Sequence, residues 1–209
     1  MRLICISDTH TMERSLKDVP DGDVLIHAGD VTGRGSYTQL LSFIQWMKEQ
    51  PHKHKILVAG NHDWCFANDE VGMCRLALED AGIIYLEDSE IVIDGIKFYG
   101  SPWQPEFCNW AFNLPEHELK VKWDMISDDT NVLITHGPPH TIRDLCAGGW
   151  VGSTELLNRV RRLEKLKCHV FGHIHEGYGV EEIEDVFFVN ASTCTGDYRP
   201  VNKPIVIDI

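Results

Sequence analysis

Short, uninterrupted apolar runs recur along the chain, and these runs predict β-strands. They are too short for typical helices, and their continuous apolarity is typical of strands that are buried on both faces of a sheet. The runs cover residues 3–6, 24–26, 56–58, 132–134 and 170–171. Two further strands are expected at residues 186–189 and 205–209.

Between these runs, apolar residues at helical spacing predict three helices that pack one face inward. Their apolar faces comprise Leu40, Ile44 and Met47; Val71, Cys74, Leu78 and Ala81; and Leu156, Val160 and Leu163. Ser36 and Ser153 are placed as N-caps of the first and third helices. Pro51 is placed to stop the first helix, and Gly82 to cap the end of the second.

The dipeptide Asp94-Gly95, flanked by apolar segments, predicts a two-residue type I′ hairpin. With 209 residues, the chain has the length of one domain spanning residues 1–209. The pattern therefore predicts a single α/β domain of two mixed sheets that pack face to face, with helices outside. Residues 102–122 form the least regular segment, which we expect to cover a functional site or to pair subunits.

Composition and charge narrow the range of partners. The chain has 32 acidic and 19 basic residues, a net charge of −13, and such a surface repels phosphate backbones. Long nucleic acid is therefore not an expected partner. The densest basic run, at residues 159–162, is expected to be an exposed helix face.

Cysteine usage and hydropathy indicate a reduced, membrane-free location. The seven cysteines are odd in number and none follow a C-x-x-C spacing, which argues against a disulfide framework and against a cysteine zinc site. No apolar run approaches the roughly 20 residues that a membrane span needs. The chain also opens without the pattern of a signal peptide, so we expect a cytoplasmic protein with no membrane partner.

Polar residues follow five of the predicted strands at the point where each strand ends. They read Asp8-Thr9-His10, Gly29-Asp30, Gly60-Asn61-His62-Asp63, His136-Gly137-Pro138-Pro139 and Gly172-His173-Ile174-His175. Ligands gather at the carboxyl ends of strands in open α/β sheets, so these groups are expected to converge. Because burying so many polar groups is costly, we expect them to bind something.

The residue types in these motifs are those of a two-metal site. Oxygen and imidazole donors without thiolate suit manganese, iron, cobalt, nickel or zinc. Asp8 and His10, two residues apart in an extended segment, can converge on one ion, and His173 and His175 can serve two adjacent divalent transition-metal ions. Two such ions would outweigh two carboxylates and a bridging hydroxide, and the remaining positive charge would attract a phosphate ester.

The ordered set of motifs resembles the calcineurin-like metallophosphoesterase family over most of the chain. The run His136-Gly137-Pro138-Pro139 and residues 171–179 are most similar to its small single-domain members, the class III phosphodiesterases. The resemblance implies a four-layer α/β/β/α sandwich with a dinuclear centre. It assigns Asp8, His10, Asp30 and His175 to one metal and Asp30, Asn61, His136 and His173 to the other, with Asp30 bridging.

The resemblance also implies the chemistry. A metal-bridging hydroxide would attack a small phosphodiester, such as a cyclic nucleotide, and His62 would protonate the departing oxygen. Asn61 and His62 are expected to contact the substrate, and His140 is a weaker candidate for such a contact. Trp64 follows the Gly-Asn-His-Asp motif where protein phosphatases of the superfamily read Gly-Asn-His-Glu followed by other polar residues, which disfavours a phosphoprotein substrate.

Several alternatives stay open at this stage. The same centre could serve a phosphomonoesterase or a nuclease, and the fold could also serve as a non-catalytic scaffold. The physiological substrate, the metal identity and the oligomeric state are not indicated by the sequence. Among the other aromatic groups, Trp64, Trp103 and Trp150 are expected to pack rather than to stack on a base. His27 is expected inside the core, whereas His52, His54, His117 and His169 are expected at the surface or at the start of a strand.

Overall fold

The computed structural model of the chain describes residues 1–69 and 72–209. The strands, numbered in chain order, are β1 (Arg2–Ile6), β2 (Val24–His27), β3 (His54–Leu57), β4 (Ile84–Tyr85), β5 (Ser89–Ile93), β6 (Ile96–Ser101), β7 (Gln104–Pro105), β8 (Asn113–Leu114), β9 (Val132–Thr135), β10 (Leu145–Cys146), β11 (Gly149–Trp150), β12 (Cys168–Phe171), β13 (Gly179–Ile183), β14 (Val186–Asn190) and β15 (Ile205–Asp208). The helices are α1 (Tyr37–Glu49), α2 (Trp64–Ala67), α3 (Met73–Asp80), α4 (Glu116–Asp124) and α5 (Thr154–Val160).

Two large mixed sheets form the body of the domain, as predicted. The first has the strand order β15-β1-β2-β3-β4, with β1 to β4 parallel and β15 antiparallel to β1. The second has the order β13-β14-β12-β9-β6-β5, in which β14, β12, β9 and β6 are parallel. Antiparallel hairpins, β5–β6 and β13–β14, close the two edges of the second sheet.

Alternation along the strands divides the core into three apolar layers, because successive side chains of a strand point to opposite faces. Leu3 of β1 and Val132 of β9 belong to the cluster between the sheets. Ile4 instead packs with α1 and α3 outside the first sheet, and Leu133 packs with α4 and α5 outside the second. The result is the expected α/β/β/α sandwich of four layers.

The local signals of the sequence match the ends of these elements. Helix α1 begins after Ser36, and Oγ of Ser153 accepts a hydrogen bond from the Leu156 amide at the start of α5. After α3, Gly82 has a φ of +69°, the left-handed conformation that commonly terminates helices. The predicted position of Val71 on this helix lies outside the described residues. Asp94 and Gly95 have φ values of 49° and 82°, which confirms the predicted hairpin turn.

Two residues that were expected at the surface are buried, although Arg161 and Arg162 of the basic run at residues 159–162 are exposed as predicted. His52 is buried, with its Nε2 2.9 Å from the Pro20 carbonyl oxygen. Arg159 is buried within α5, where its guanidinium donates to the Ile126 carbonyl and to the Asp128 carboxylate. In both cases a segment distant in sequence covers the side chain, and a local pattern of residues carries no information about such a cover. His169 lies at the start of β12, as expected, but its side chain is fully buried.

The segment 102–122 is more regular than expected, since it contains β7, β8 and the first turns of α4. Its central residues nevertheless lie beside the metal-ligand motifs, as described below. Within the described residues, no helix combines the length and the apolarity that crossing a bilayer requires.

Candidate metal centre

The structure brings all seven predicted metal ligands together at the carboxyl ends of strands from both sheets. Asp8, Asp30 and Asn61 follow β1, β2 and β3 of the first sheet, whereas His136 and His173 follow β9 and β12 of the second. Several of these residues leave their strands in a left-handed conformation, which is uncommon for residues other than glycine. The φ values are 50° for Asp8, 44° for His10, 59° for Asp30 and 64° for His173.

Glycines next to the ligands allow neighbouring segments of the backbone to approach closely, as predicted. A Cβ atom on Gly172 would lie 2.0 Å from Oδ2 of Asp8, and one on Gly60 would lie 2.3 Å from Oδ1 of Asp30. No real side chain tolerates such distances, so each glycine is required for the ligand beside it to reach its position.

One half of the cluster is formed by Asp8, His10 and His175. The Nε2 atom of His175 lies 3.4 Å from Oδ1 of Asp8 and 3.4 Å from Nε2 of His10. One ligand atom from each of these three residues lies within 4.8 Å of the others. Three donor atoms that converge at such distances can share one cation.

The other half is formed by Asn61, His136 and His173. Oδ1 of Asn61 lies 2.9 Å from Nε2 of His136 and 2.9 Å from Nδ1 of His173. Asp30 stands between the two halves, because its Oδ2 lies 3.4 Å from Nε2 of His136 and 3.8 Å from Nε2 of His10. A single carboxylate therefore faces both groups of ligands.

Hydrogen bonds behind the cluster orient the ligand atoms towards its centre. Nδ1 of His136 lies 2.9 Å from the Ala28 carbonyl oxygen, and Nδ1 of His175 lies 2.9 Å from that of Thr195. A proton on each Nδ1 would be donated to these carbonyls and would leave the Nε2 lone pair facing inward, as metal-binding histidines require. The donor set and its orientation thus fit divalent transition metals.

The cluster is also electrostatically coupled. Burial favours the neutral acid of Asp8, but the hydrogen bond and charge of His175 outweigh it and hold the pKa of Asp8 well below its usual value. Burial likewise opposes protonation of His136, but the charge and hydrogen bond of Asp30 raise its pKa to about 9. By contrast, burial lowers the pKa of His173 to about 3, helped by the charge of His136.

His62 borders the two halves described above, and a ring nitrogen of His62 lies within 4.8 Å of ligand atoms of His10 and Asp30. Its backbone amide donates to Oδ1 of Asp30 at 2.8 Å, and its Nδ1 lies 2.8 Å from the Gly33 carbonyl oxygen. Its Nε2 lies 4.0 Å from Oδ2 of Asp30. The ring nitrogen that is not bonded to Gly33 therefore faces the space beside the metal ligands, where a proton could be transferred.

Asp63 supports the same loop from beneath. It is fully buried, and its carboxylate accepts hydrogen bonds from the amides of Val31, Thr32 and Gly60. Burial and then the charge of Asp30 raise its pKa to about 6. Its contacts show a side chain that holds the loops carrying Asp30 and Asn61 together.

Several residues at the centre were not identified from the sequence. Oγ of Ser192 donates to Oδ2 of Asp8 at 2.9 Å, and Nδ2 of Asn190 donates to the Ile174 carbonyl oxygen at 2.8 Å. The sequence contained a signal that could have identified them. Both are polar residues near the carboxyl end of the strand predicted at residues 186–189, and the seven predicted ligands likewise lie near strand ends.

The remaining candidates lie around the cluster or apart from it. His140 contacts Asp144, whose Oδ2 is 3.6 Å from its Nδ1, and the backbone of Ser153, so its polar contacts lie outside the ligand set. Trp64 and Trp103 pack against the outer apolar cluster of the first sheet, as expected. Aromatic residues that touch the histidines of the centre include Phe107, Trp110 and Tyr198.

Comparison with known proteins gives a consistent picture. The family described as calcineurin-like phosphoesterase matches residues 1–177. A human protein called metallophosphoesterase domain-containing protein 1 is 42% identical over 233 aligned residues, which cover 100% of this chain and 71% of that protein. A UPF0046 protein of Caenorhabditis elegans is 38% identical, and the match covers 100% of this chain and 75% of that protein. The crystal structure of TT1561 of Thermus thermophilus matches 90% of this chain and 88% of its own, with a TM-score of 0.65 at 14% identity, and so shares the fold.

Proposed function

This chain belongs to the calcineurin-like phosphoesterase family, and we propose that it is a metal-dependent phosphodiesterase acting on small phosphodiesters such as cyclic nucleotides. The observation that carries the proposal is the convergence of carboxylate, carboxamide and imidazole groups from five strand ends on Asp30. Oδ2 of Asp30 lies within 4.0 Å of a ring nitrogen of His10, His62 and His136.

Two divalent transition-metal ions are the cofactors that this donor set fits. Asp8, His10, Asp30 and His175 would hold one ion, and Asp30, Asn61, His136 and His173 would hold the other. Such ions, when bound, neutralise phosphoryl oxygens and acidify water to supply the nucleophile. Manganese, iron, cobalt, nickel and zinc all accept oxygen and imidazole ligands.

Within this scheme, His62 is the proton donor to the departing oxygen. Donation of its Nδ1 proton to the Gly33 carbonyl fixes the ring, and its Nε2 faces the space next to Asp30. An imidazole can transfer a proton near neutral pH. Asn61 and His62 would contact the phosphoryl group, and His140 is a further, more distant candidate for substrate contact.

The surroundings of the centre favour a diester over a monoester. Among the described residues, the ion pairs of Asp8 and Asp30 are all with histidines, and the guanidinium of Arg34 lies beyond them, 5.9 Å from the Trp110 ring centroid. A diester carries a single negative charge, whereas a monoester carries close to two near neutral pH and benefits more from additional cations. The net charge of −13 disfavours a nuclease for long substrates. Retention of all the predicted ligands and of His62 disfavours a non-catalytic scaffold.

The experiment is a metal add-back assay. Metal is first removed from the protein. Manganese, iron, cobalt, nickel or zinc is then added back, one metal at a time, and the rate of turnover of a chromogenic diester is compared with that of its monoester. The 2′,3′- and 3′,5′-cyclic nucleotides are then tested. Faster turnover of the diester supports the proposal, and faster turnover of the monoester supports the phosphomonoesterase. Absence of turnover with every metal would support the remaining alternative, a non-catalytic scaffold.

The role of His62 has its own test. His62→Ala is expected to keep its metal, because the variant leaves the seven ligands in place. On a diester with a poor leaving group it should lose roughly 10²- to 10⁴-fold in turnover, the usual contribution of a general acid. His117→Ala is the matched control, since that side chain is 79% exposed. Full activity of His62→Ala at unchanged metal content would show that another group donates the proton.

A further inference from the structure

The indole of Trp110 lies flat against the imidazole of His62. The ring centroids are 4.2 Å apart and the planes differ by 19°, which is a stacked arrangement at van der Waals contact. The two residues are far apart in sequence, and Trp110 belongs to the segment 102–122. The same indole is partly exposed, and the guanidinium carbon of Arg34 lies 5.9 Å from its centroid.

The hydrogen bonds of His62 leave its imidazole ring able to rotate, and the stacking contact with Trp110 restricts that rotation. Its amide is bound to Asp30 and its Nδ1 to the Gly33 carbonyl, so the residue is anchored at its backbone and at one ring atom. A ring held by a single hydrogen bond can still rotate about that bond, and the rotation would move Nε2 towards or away from the phosphoryl group of a substrate. Trp110 covers one face of the ring, and the edge-to-face contact with His10, at 4.7 Å, limits the ring from another direction.

Trp110 is itself held by neighbours that are not exposed. Ala111 is buried, and its amide donates to the Asn61 carbonyl at 3.2 Å. Phe112 is buried and meets Trp103 edge to face at 5.4 Å. The backbone on the carboxyl side of Trp110 is thus hydrogen-bonded to the loop that carries Asn61 and His62. This contact holds the indole against the imidazole of His62.

We propose that Trp110 is a positioning residue of the reaction, which holds the His62 imidazole with Nε2 directed at the leaving oxygen. This inference rests on the proposed function, because it assigns Trp110 a role through the proton donor. An error of about 1 Å in the placement of a catalytic group can lower a rate about 10²-fold. By preventing misplacement of the His62 imidazole, the indole of Trp110 would increase turnover without touching the substrate.

The kinetic test uses leaving groups that differ in their need for a proton. Methyl aryl phosphates are compared, with leaving phenols that range from p-nitrophenol to unsubstituted phenol. Trp110→Ala is expected to lower kcat by about 10- to 100-fold for phenol but within about threefold for p-nitrophenol, because only the poor leaving group needs the acid. KM and the metal content should stay unchanged. Trp110→Phe, which keeps a stacked ring, should recover most of the rate.

Controls separate positioning from a general loss of structure. Trp150→Ala removes another partly exposed indole, in the β10–β11 hairpin, and should behave as wild type. In a His62→Ala background, Trp110→Ala should cause no further loss. An equal loss for every leaving group, no loss at all, or the same loss without His62 would overturn the inference. If His62→Ala alone is fully active, the assigned proton donor has failed instead.

A second readout does not depend on activity. In the metal-free protein, the His62 ring protons should show one set of upfield-shifted NMR signals, because the indole ring current acts on a fixed imidazole; His62→Ala assigns them. Trp110→Ala should move these signals towards random-coil positions and average them. Unchanged His62 signals in that variant would refute the positioning role. If Trp110→Ala does not fold, Trp110→Leu, which keeps apolar bulk but has no aromatic ring, carries the kinetic and double-mutant comparisons.

Discussion

Asp30 is the residue on which both halves of the centre converge. It follows β2 with a φ of 59°, and this left-handed backbone directs one oxygen to His10 and His136 and the other to the amide of His62. The sequence shows an aspartate directly after a predicted strand, which was enough to make it a candidate metal ligand. Its role at the meeting point of two ligand groups depends on distances that a linear pattern does not contain.

Asp30→Asn is therefore expected to lose both ions rather than one. The carboxamide keeps the size of the side chain but removes the charge that two cations share. Metal content measured by elemental analysis should fall from two ions per chain towards none, and turnover should fall by about 10³-fold or more. Asp129→Asn, at an exposed carboxylate, is the control and should retain both ions. Retention of two ions by Asp30→Asn would contradict a bridging role.

Gly172 shows how closely the ligands of the two sheets approach. Its substitution by alanine would place a methyl group 2.0 Å from Oδ2 of Asp8 and 2.2 Å from Oγ of Ser7. We expect Gly172→Ala to lower the free energy of unfolding by about 1–3 kcal/mol, the usual effect of overpacking, and to weaken metal binding. Gly148→Ala is the matched control, because the nearest atom to its added Cβ is 3.7 Å away. Urea unfolding and metal titration measure the two effects, and a Gly172→Ala variant as stable as the control would contradict the packing.

At the scale of the elements, the sequence was most informative where short-range chemistry decides. The Ser153 cap, the Asp94-Gly95 turn and the continuous apolar runs act over a few residues, and the structure confirms them. Ser36 precedes α1 as predicted, but its side chain makes no capping hydrogen bond. It was least informative for α4 and β13. Helix α4 has Leu119 and Trp123 as its buried residues, and β13 has a mostly exposed sequence that pairs with β14. Both depend on partners elsewhere in the chain.

Strand β12 supplies a prediction on pH. His169 lies inside it, and burial lowers its pKa to about 3 from an ordinary value of 6.5. Between these two values the unfolded chain binds a proton that the folded chain does not, so stability falls as the pH is lowered from 6.5 towards 3. The contribution is about 1.4 kcal/mol per pH unit.

His169→Gln should flatten this dependence, because glutamine does not titrate and can still reach the Thr135 hydroxyl, which lies 2.8 Å from Nε2 of His169. The measurement is the free energy of unfolding in urea at several pH values, compared with His117→Ala. His117 is the control position because its side chain is 79% exposed. An identical slope in His169→Gln and wild type would contradict burial of a neutral imidazole.

At the scale of the whole molecule, the centre lies where the two sheets meet. Asp8, Asp30 and Asn61 come from the first sheet and His136, His173 and His175 from the second. The amide of His173 donates to Asp8, and Ser192, just after β14, donates to the same carboxylate. Cations held by both groups would link the sheets as well as supply chemistry.

Removal of metal should therefore destabilise the whole domain and not only abolish activity. Ions that bind the folded state alone stabilise it by about 2.7 kcal/mol per site at 100 times Kd. For a domain of this size, two such sites correspond to a fall in Tm of roughly 10–20 °C on chelation. Calorimetry before and after chelation, with metal restored as the control, measures it. An unchanged Tm at proven metal loss would show that the ions do not link the sheets.

The sequence by itself determined the central strands of both sheets, the helices α1, α3 and α5, the mixed two-sheet fold and the set of residues that converge at the strand ends. These features depend on periodicity, turn chemistry and the common edge of parallel strands, all of which act locally or follow from topology. Only the tertiary structure decided that Trp110, rather than Trp64 or Trp103, lies on His62, that Arg159 and His52 are buried, and that Ser192 reaches Asp8. Those contacts join segments far apart in the chain, and their geometry is set by how the sheets pack, which no local pattern of residues records.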